Sequence, residues 1–159
     1  MNPLPDQPID IKAGQLTYGQ RLELGGILAN KDEVSEFEVF NRTIECLYGR
    51  RPQRGEYKQA VRLFESAIDG MAFWVKVEAE QLKYTPSQEE KDAGVERYSA
   101  EVGELGTAYD IAREYKIDPD EVLGWKYGKV FGHLRKRKAE YDYQKRYDKV
   151  MERRAKNKH

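Results

Sequence analysis

The chain is poor in the residues on which most catalytic and metal sites depend. Its 159 residues include one cysteine and two histidines. A single cysteine, Cys46, can form neither an internal disulfide nor a cysteine-based metal site within one chain, and a reducing compartment fits this usage. His133 and His159 lack the spacing of a metal-binding pair on a helix. We therefore expect no bound metal, with Cys46 as a core residue and His133 as an ordinary helical residue.

Signals for membranes, secretion and nucleotides are also missing. No apolar run approaches the roughly 18 residues that a membrane span needs. The opening residues, MNPLPDQPIDIK, lack the basic and apolar regions of a secretory signal. No Walker-type glycine-lysine motif occurs, and Gly103 and Gly106 lie in a helical pattern, which is the wrong context for a phosphate loop. We expect a cytoplasmic protein that has no cofactor, catalyses no reaction and does not bind membranes.

Charge is abundant instead, and it favours long amphipathic helices. Charged residues make up 35% of the chain and hydrophobic residues 39%, so the core must be lean and the charged faces extensive. The length suits one domain. We predict an all-α, single-domain helical bundle of about five to six helices. It divides into an extended N-terminal arm (1–16), a helical domain (17–134) and a basic, projecting C-terminal helical extension (135–159).

Apolar spacing and capping residues place the first three helices. Thr17 and Gln20 have the form of a capping box, which predicts a helix that begins at Thr17 and ends at Asn30. A second helix is predicted over about 32–48. A long third helix is predicted to end near Lys83, with one apolar face formed by Tyr57, Val61, Phe64, Ile68, Met71, Trp74 and Val75.

The second half of the chain carries two further start signals. Ser87 repeats the capping pattern, and a fourth helix is predicted to run to about Tyr115, although its first residues could be a connector. Asp118 then supplies an N-cap and Pro119 a first helical residue for a short helix. A last helix begins after a break near Trp125. Its apolar residues thin out beyond Leu134, so its remainder should project or find a partner.

The ends of the molecule should differ in electrostatic potential. Residues 133–159 hold 11 Lys and Arg against 4 Asp and Glu, which is a net +7 and leaves −7 for the rest of a neutral chain. Such polarity could attract nucleic acid or an anionic protein. It could also let copies of the protein associate head to tail. The structural alternative is a solvated helix that pairs its own acids.

Aromatic and basic side chains near the C-terminus are the candidate contacts for a partner. Tyrosine and tryptophan are common at protein interfaces, although a tryptophan at a turn more often anchors a helical corner. The candidate partner-binding residues are Trp125, Tyr127, Tyr141, Tyr143, Tyr147, Arg135, Lys136, Arg137 and Lys138.

One interpretation of this region is a helix-turn-helix that binds nucleic acid. The turn would lie at 116–121, and the basic run 135–138 would contact phosphates. Against it, Asp118, Asp120 and Glu121 place negative charge where a recognition helix usually meets the groove. This interpretation is the alternative to protein binding.

The order of features resembles phage tail assembly chaperones, small helical proteins encoded ahead of the tape measure protein in long-tailed phages and prophages. The matching segments are 16–25 (LTYGQRLELG), 40–48 before Pro52, 117–123 (IDPDEVL) leading into Trp125-Lys126-Tyr127, and 141–147 (YDYQKRY). Residues 87–96 have no counterpart in that pattern.

The resemblance implies a non-catalytic protein without a cofactor. It would bind the helical tape measure protein during tail morphogenesis, in the cytoplasm of a bacterial host. Trp125, Tyr127 and the tract 141–147 would be contact residues. Another phage structural or interaction protein would share most of these features, and a homo-oligomer is compatible with all of them.

Overall fold

The computed structural model describes residues 3–103 and 105–157, most of which are helical; His159 lies outside these ranges. Within them are a 3-10 helix (Lys31–Glu33) and the α-helices α1 (Tyr18–Ala29), α2 (Glu36–Tyr48), α3 (Tyr57–Gln81), α4 (Gln88–Asp92), α5 (Val95–Val102), α6 (Gly106–Tyr115), α7 (Pro119–Leu123) and α8 (Tyr127–Lys156). The predicted all-α class is confirmed. The described α-helices outnumber the predicted five to six because α4, α5 and α6 occupy the stretch predicted as one helix.

Local capping decides where the helices begin. The Thr17 side chain accepts a hydrogen bond from the backbone N–H of Gln20, whose side chain accepts one from Thr17 N–H, so the predicted capping box is present. Asp118 caps α7 as predicted. The predicted start of α2 near residue 32 is wrong, because Ser35 accepts from the N–H of Glu38 and sets the first turn at Glu36.

The predicted continuous fourth helix is also wrong, since three helices occupy that stretch. Gly94 and Gly103 have φ angles of +81° and +61°. A right-handed helix cannot pass through either conformation. The chain therefore changes direction after α4 and again after α5, and Ser87 caps only the short α4, in a capping box with Glu90.

The N-terminal arm packs against its own chain. Ile11 and Leu16 are buried in the main core, and Leu4 is buried in a second cluster with residues of α2 and α3. The buried Trp74 side chain donates a hydrogen bond through Nε1 to the Ile11 carbonyl at 2.6 Å. Gly70 leaves the space that the Ile11 side chain fills. The arm is thus part of the bundle's core.

Helix α8 contributes only its first turns to the hydrophobic core. Tyr127, Val130 and Phe131 are its buried residues, and Leu134 packs against the core from a half-buried position. Its 30 residues span about 45 Å at 1.5 Å per residue, so the distal turns extend well past the core. No helix within the described ranges is both long enough and apolar enough to cross a membrane.

Candidate functional site

Helix α3 carries two apolar faces instead of the predicted single one. Met71 and Trp74 are buried against the core, whereas Val75 is 57% exposed. Adjacent residues lie about 100° apart around a helix, so the side chains expected on one stripe divide between two. The second, open face consists of Tyr57, Val61, Phe64, Ile68, Ala72, Val75 and Ala79. We call this set the α3 stripe.

The α3 stripe has the spacing of a helix-binding surface. Its members follow one another at three- and four-residue steps from Tyr57 to Ala79, which covers about 33 Å of helix. Phe64 and Ile68 are half-buried, and the other five are exposed. A contiguous apolar surface on a soluble protein commonly marks an interaction site.

Helix α1 turns half of the α3 stripe into a groove. The groove encloses about 650 Å³, and its apolar lining comes from Leu28, Ala29, Ile68, Met71, Ala72, Val75 and Ala79. Lys31 and Lys76 lie on its rim, and no carboxylate is among the described lining residues. Arg21, which also lines it, is paired with Glu78 at 2.9 Å. The groove therefore offers an apolar floor beside positive charge.

An aromatic cluster continues the α3 stripe at its N-terminal end. Phe40 of α2 lies 5.4 Å from Phe64 and 6.4 Å from Tyr57 between ring centroids. Phe37 lies 6.3 Å from both Phe40 and Tyr57 and is mostly exposed. Clustered rings of this kind bury large areas when a partner covers them.

Of the predicted contact residues, Tyr127 is in the core. It is 3% exposed, stacks against Tyr18 at 6.0 Å and donates a hydrogen bond through its hydroxyl to Glu78 at 2.5 Å. Burial is the main cause that raises the pKa of Tyr127 well above its usual range, and the Glu78 carboxylate adds to it. Tyr127 thus supports the fold and offers almost no surface to a partner.

Trp125 anchors the corner between α6 and α8. Its half-buried ring lies 5.5 Å from the Tyr115 ring and 5.9 Å from the His133 ring. Lys129 Nζ lies 3.1 Å from the centroid of the Trp125 ring. The Tyr115 hydroxyl is 3.3 Å from His133 Nε2. His133 therefore takes part in a packed aromatic corner.

The basic run 135–138 is largely compensated by acids of the same chain. Arg137 pairs with Asp110 at 3.2 Å and reaches Glu114 at 3.5 Å. Lys138 pairs with Asp142 at 2.5 Å. The remaining pair joins Lys136 to Glu140 at 3.7 Å, and Arg135 is exposed. Three of these four cations are therefore not free point charges for a phosphate.

Tyr141 fastens α4 to α8. Its hydroxyl donates to Glu90 at 2.5 Å, and Lys145 Nζ lies 3.0 Å from the same carboxylate. The pKa of Glu90 is lowered to about 2, first by the Tyr141 hydroxyl, then by the Ser87 N–H and Lys145. Tyr84 packs on the Tyr141 ring at 5.5 Å. Tyr141 therefore makes contacts within its own chain, between α8 and α4.

Tyr143 and Tyr147 remain open to solvent. Both are exposed, and their rings stack on each other at 6.3 Å. They lie on the part of α8 that extends past the core. Of the predicted aromatic contacts, these two offer the most surface.

The α3 stripe was missed as a site because its apolar spacing resembles that of an ordinary core face.

The described residues include no metal-binding cluster, and their one cysteine is a weak nucleophile. No group of three or more His, Cys, Asp or Glu side chains in the described part of the chain is arranged to hold a metal. Burial raises the pKa of the Cys46 thiol to about 12, which disfavours the reactive thiolate. Comparison of the chain with protein families, curated proteins and solved structures found no match.

Proposed function

We propose that this protein is a non-catalytic binding protein that holds a helical segment of another protein along the α3 stripe. The observation that carries the proposal is the row of seven apolar side chains that the α3 stripe spreads over 23 residues from Tyr57 to Ala79. This row is bordered by α1 and the aromatic cluster of α2. An amphipathic helix binds such a surface through side chains at i, i+3, i+4 and i+7.

The rim charges indicate which kind of helix would bind. Lys31 and Lys76 border the groove without a carboxylate among its described lining. A partner helix with an apolar face and acidic residues along its edge would meet this charge, which aids encounter and orientation. A basic edge would be repelled. The expected occupant is therefore an amphipathic helix with carboxylates flanking its apolar face.

The resemblance to phage tail assembly chaperones gives this partner a class. In such proteins the partner is the tape measure protein, which is long and largely helical. The α3 stripe supports that assignment because a surface of about 33 Å covers roughly six turns of a bound helix. Holding the partner in this way requires no cofactor.

Nucleic-acid binding is less well supported. Helix α7, which follows the turn at 116–121, has five residues and begins with Pro119, Asp120 and Glu121. A recognition helix normally presents its N-terminal turns to the bases. Most of the basic run is paired with acids. This alternative predicts binding that weakens steeply with salt.

The test is co-purification from the native host or a phage lysate at moderate and at high salt, with bound protein and nucleic acid both identified. Recovery of one long helical protein at both salt concentrations, bound directly when the two purified proteins are mixed, would support the proposal. Nucleic acid lost at high salt would support the helix-turn-helix alternative.

Two variants of α3 test whether the partner binds at the α3 stripe. Val75→Glu places a carboxylate in the α3 stripe and should weaken partner binding about tenfold or more, since an unpaired charge would be buried beside an acidic edge. Arg62→Glu introduces the same carboxylate on the exposed, charged side of α3 and should bind normally. Equal binding by both variants would remove the α3 stripe as the site.

A further inference from the structure

Helix α5 presents an apolar side that its own chain covers only in part: Val95 is half-buried, and the Val102 side chain lies against Gly106. None of its residues is buried. Val95, Tyr98 and Val102 follow one another at helical spacing, and Tyr98 is 64% exposed. Leu105, just beyond the helix, is also exposed. A short helix of this kind gains little stability from its own hydrogen bonds and depends on packing.

The distal part of α8 presents an uncovered apolar stripe. Tyr143, Tyr147, Val150 and Met151 lie at i, i+4, i+7 and i+8, and all four are exposed. They span eight residues, or about 12 Å of helix. Val95 to Val102 spans about 10 Å. The two apolar surfaces are therefore similar in length, and each is helical.

Their charges are opposite. Residues 88–103 contain five acidic and two basic residues, a net −3, whereas residues 143–157 contain six basic and two acidic residues, a net +4. Glu90 and Lys145 already pair with each other within the chain, which leaves −2 and +3 for a contact with another molecule. Two copies of the distal α8 segment would repel each other. A contact between α5 and the distal part of α8 joins apolar surfaces and complementary charges.

The position of the contact between α4 and α8 indicates that α5 pairs with the distal part of α8 of a second copy, not with its own α8. Glu90 of α4 binds Tyr141 and Lys145 of α8. At 100° per residue, Lys145 lies roughly 160° around the helix from both Tyr143 and Tyr147. The segment that links α4 to α5 therefore starts on the side of α8 opposite Tyr143 and Tyr147. The exposed stripe of α8 stays uncovered in its own chain.

The apolar side of α5 and the exposed stripe of α8 both begin close to the contact between Glu90 and Tyr141. Val95 follows Glu90 by five residues, and Tyr143 follows Tyr141 by two. Two copies related by a two-fold axis can thus place α5 of each on α8 of the other, which gives two equal contacts in a closed pair. We propose that this chain forms such a dimer, through a surface separate from the α3 stripe.

Charge reversal tests the pairing directly. One variant, Glu96→Lys with Glu101→Lys, changes the net charge of residues 88–103 from −3 to +1; the other, Arg146→Glu with Arg153→Glu and Arg154→Glu, changes that of residues 143–157 from +4 to −2. Sedimentation velocity over roughly 1 to 100 µM should show a dimer for the unmodified chain at low salt and a monomer for either variant alone. An equimolar mixture should recover the dimer, because both contacts are then attractive.

The control is Lys58→Glu with Arg62→Glu, which reverses two exposed cations on α3 and should leave the dimer intact. An unmodified chain that stays monomeric across the range would overturn the proposal. So would a dimer that persists in both variants, or a mixture that stays monomeric. Partner binding through the α3 stripe is measured separately with Val75→Glu, so failure of one proposal does not imply failure of the other.

Discussion

At the scale of single residues, Gly14 of the N-terminal arm lies directly against the first turn of α8. Its φ angle is +71°, and an added Cβ would lie 2.6 Å from the backbone nitrogen of Gly128. We expect Gly14→Ala to lower the free energy of unfolding by about 2 to 4 kcal/mol, because the left-handed conformation and the backbone clash add together. Urea unfolding followed by circular dichroism measures this loss.

Gly132 provides the matched control for Gly14. It lies inside α8, and an added Cβ would meet nothing within 4 Å. Gly132→Ala should therefore raise stability by about 0.5 to 1 kcal/mol, because alanine loses less backbone freedom in a helix. Equal effects of the two substitutions would show that the arm does not pack against α8. Neither role could be predicted from the sequence. The two glycines differ in what surrounds them in the folded protein, not in the residues beside them in the chain.

At the scale of the helices, the caps could be predicted from the sequence, whereas the helix breaks and the two faces of α3 could not. The caps at Thr17 and Asp118 depend on side chains within three residues, so their sequence alone identifies them. The helix breaks depend on whether Gly94 and Gly103 adopt positive φ, and a glycine inside an apolar pattern is compatible with either outcome. Division of α3 into a core face and an open stripe depends on which helices cover it. Periodicity alone does not contain that information.

The connection between α4 and α8 gives a prediction at this scale. Tyr141→Phe removes the hydroxyl that donates to Glu90, while the ring can still pack on Tyr84. We expect faster amide hydrogen exchange over residues 88–102, because α5 has no buried residue of its own to hold it in place. Exchange in α1 to α3 should not change.

Tyr143→Phe is the control for this experiment. Tyr143 lies two residues further along α8, and its exposed ring stacks on Tyr147. Removing its hydroxyl should leave the exchange of α4 and α5 at the unmodified rate. Faster exchange in both variants would mean that loss of any nearby hydroxyl disturbs α8. Unchanged exchange in Tyr141→Phe would show that Lys145 is sufficient to hold Glu90 against α8.

At the scale of the whole molecule, the core and the surfaces proposed for binding use different faces of α3 and, elsewhere, different helices or different parts of α8. The two core clusters draw their residues from the arm, α1 to α3 and the stretch from α6 to the first turns of α8, with Leu134 the most C-terminal member. The exposed surfaces lie on the outer side of α3, on α5 and on the distal part of α8. The net charge of +7 beyond residue 132 is therefore carried mainly by a helix that contributes little to the core.

Truncation after Asp142 tests this separation. Removing the distal part of α8 deletes helical residues but no member of either core cluster, and it keeps Tyr141 beside Glu90. We expect a single cooperative thermal transition with a midpoint within about 4 °C of the full chain, since a change of 1 kcal/mol corresponds to a shift of about that size. The helical signal should fall, the proposed dimer should be lost, and binding through the α3 stripe should remain. A truncated chain that unfolds without cooperativity would show that the distal part of α8 supports the core, and the separation of stability from binding would then be wrong.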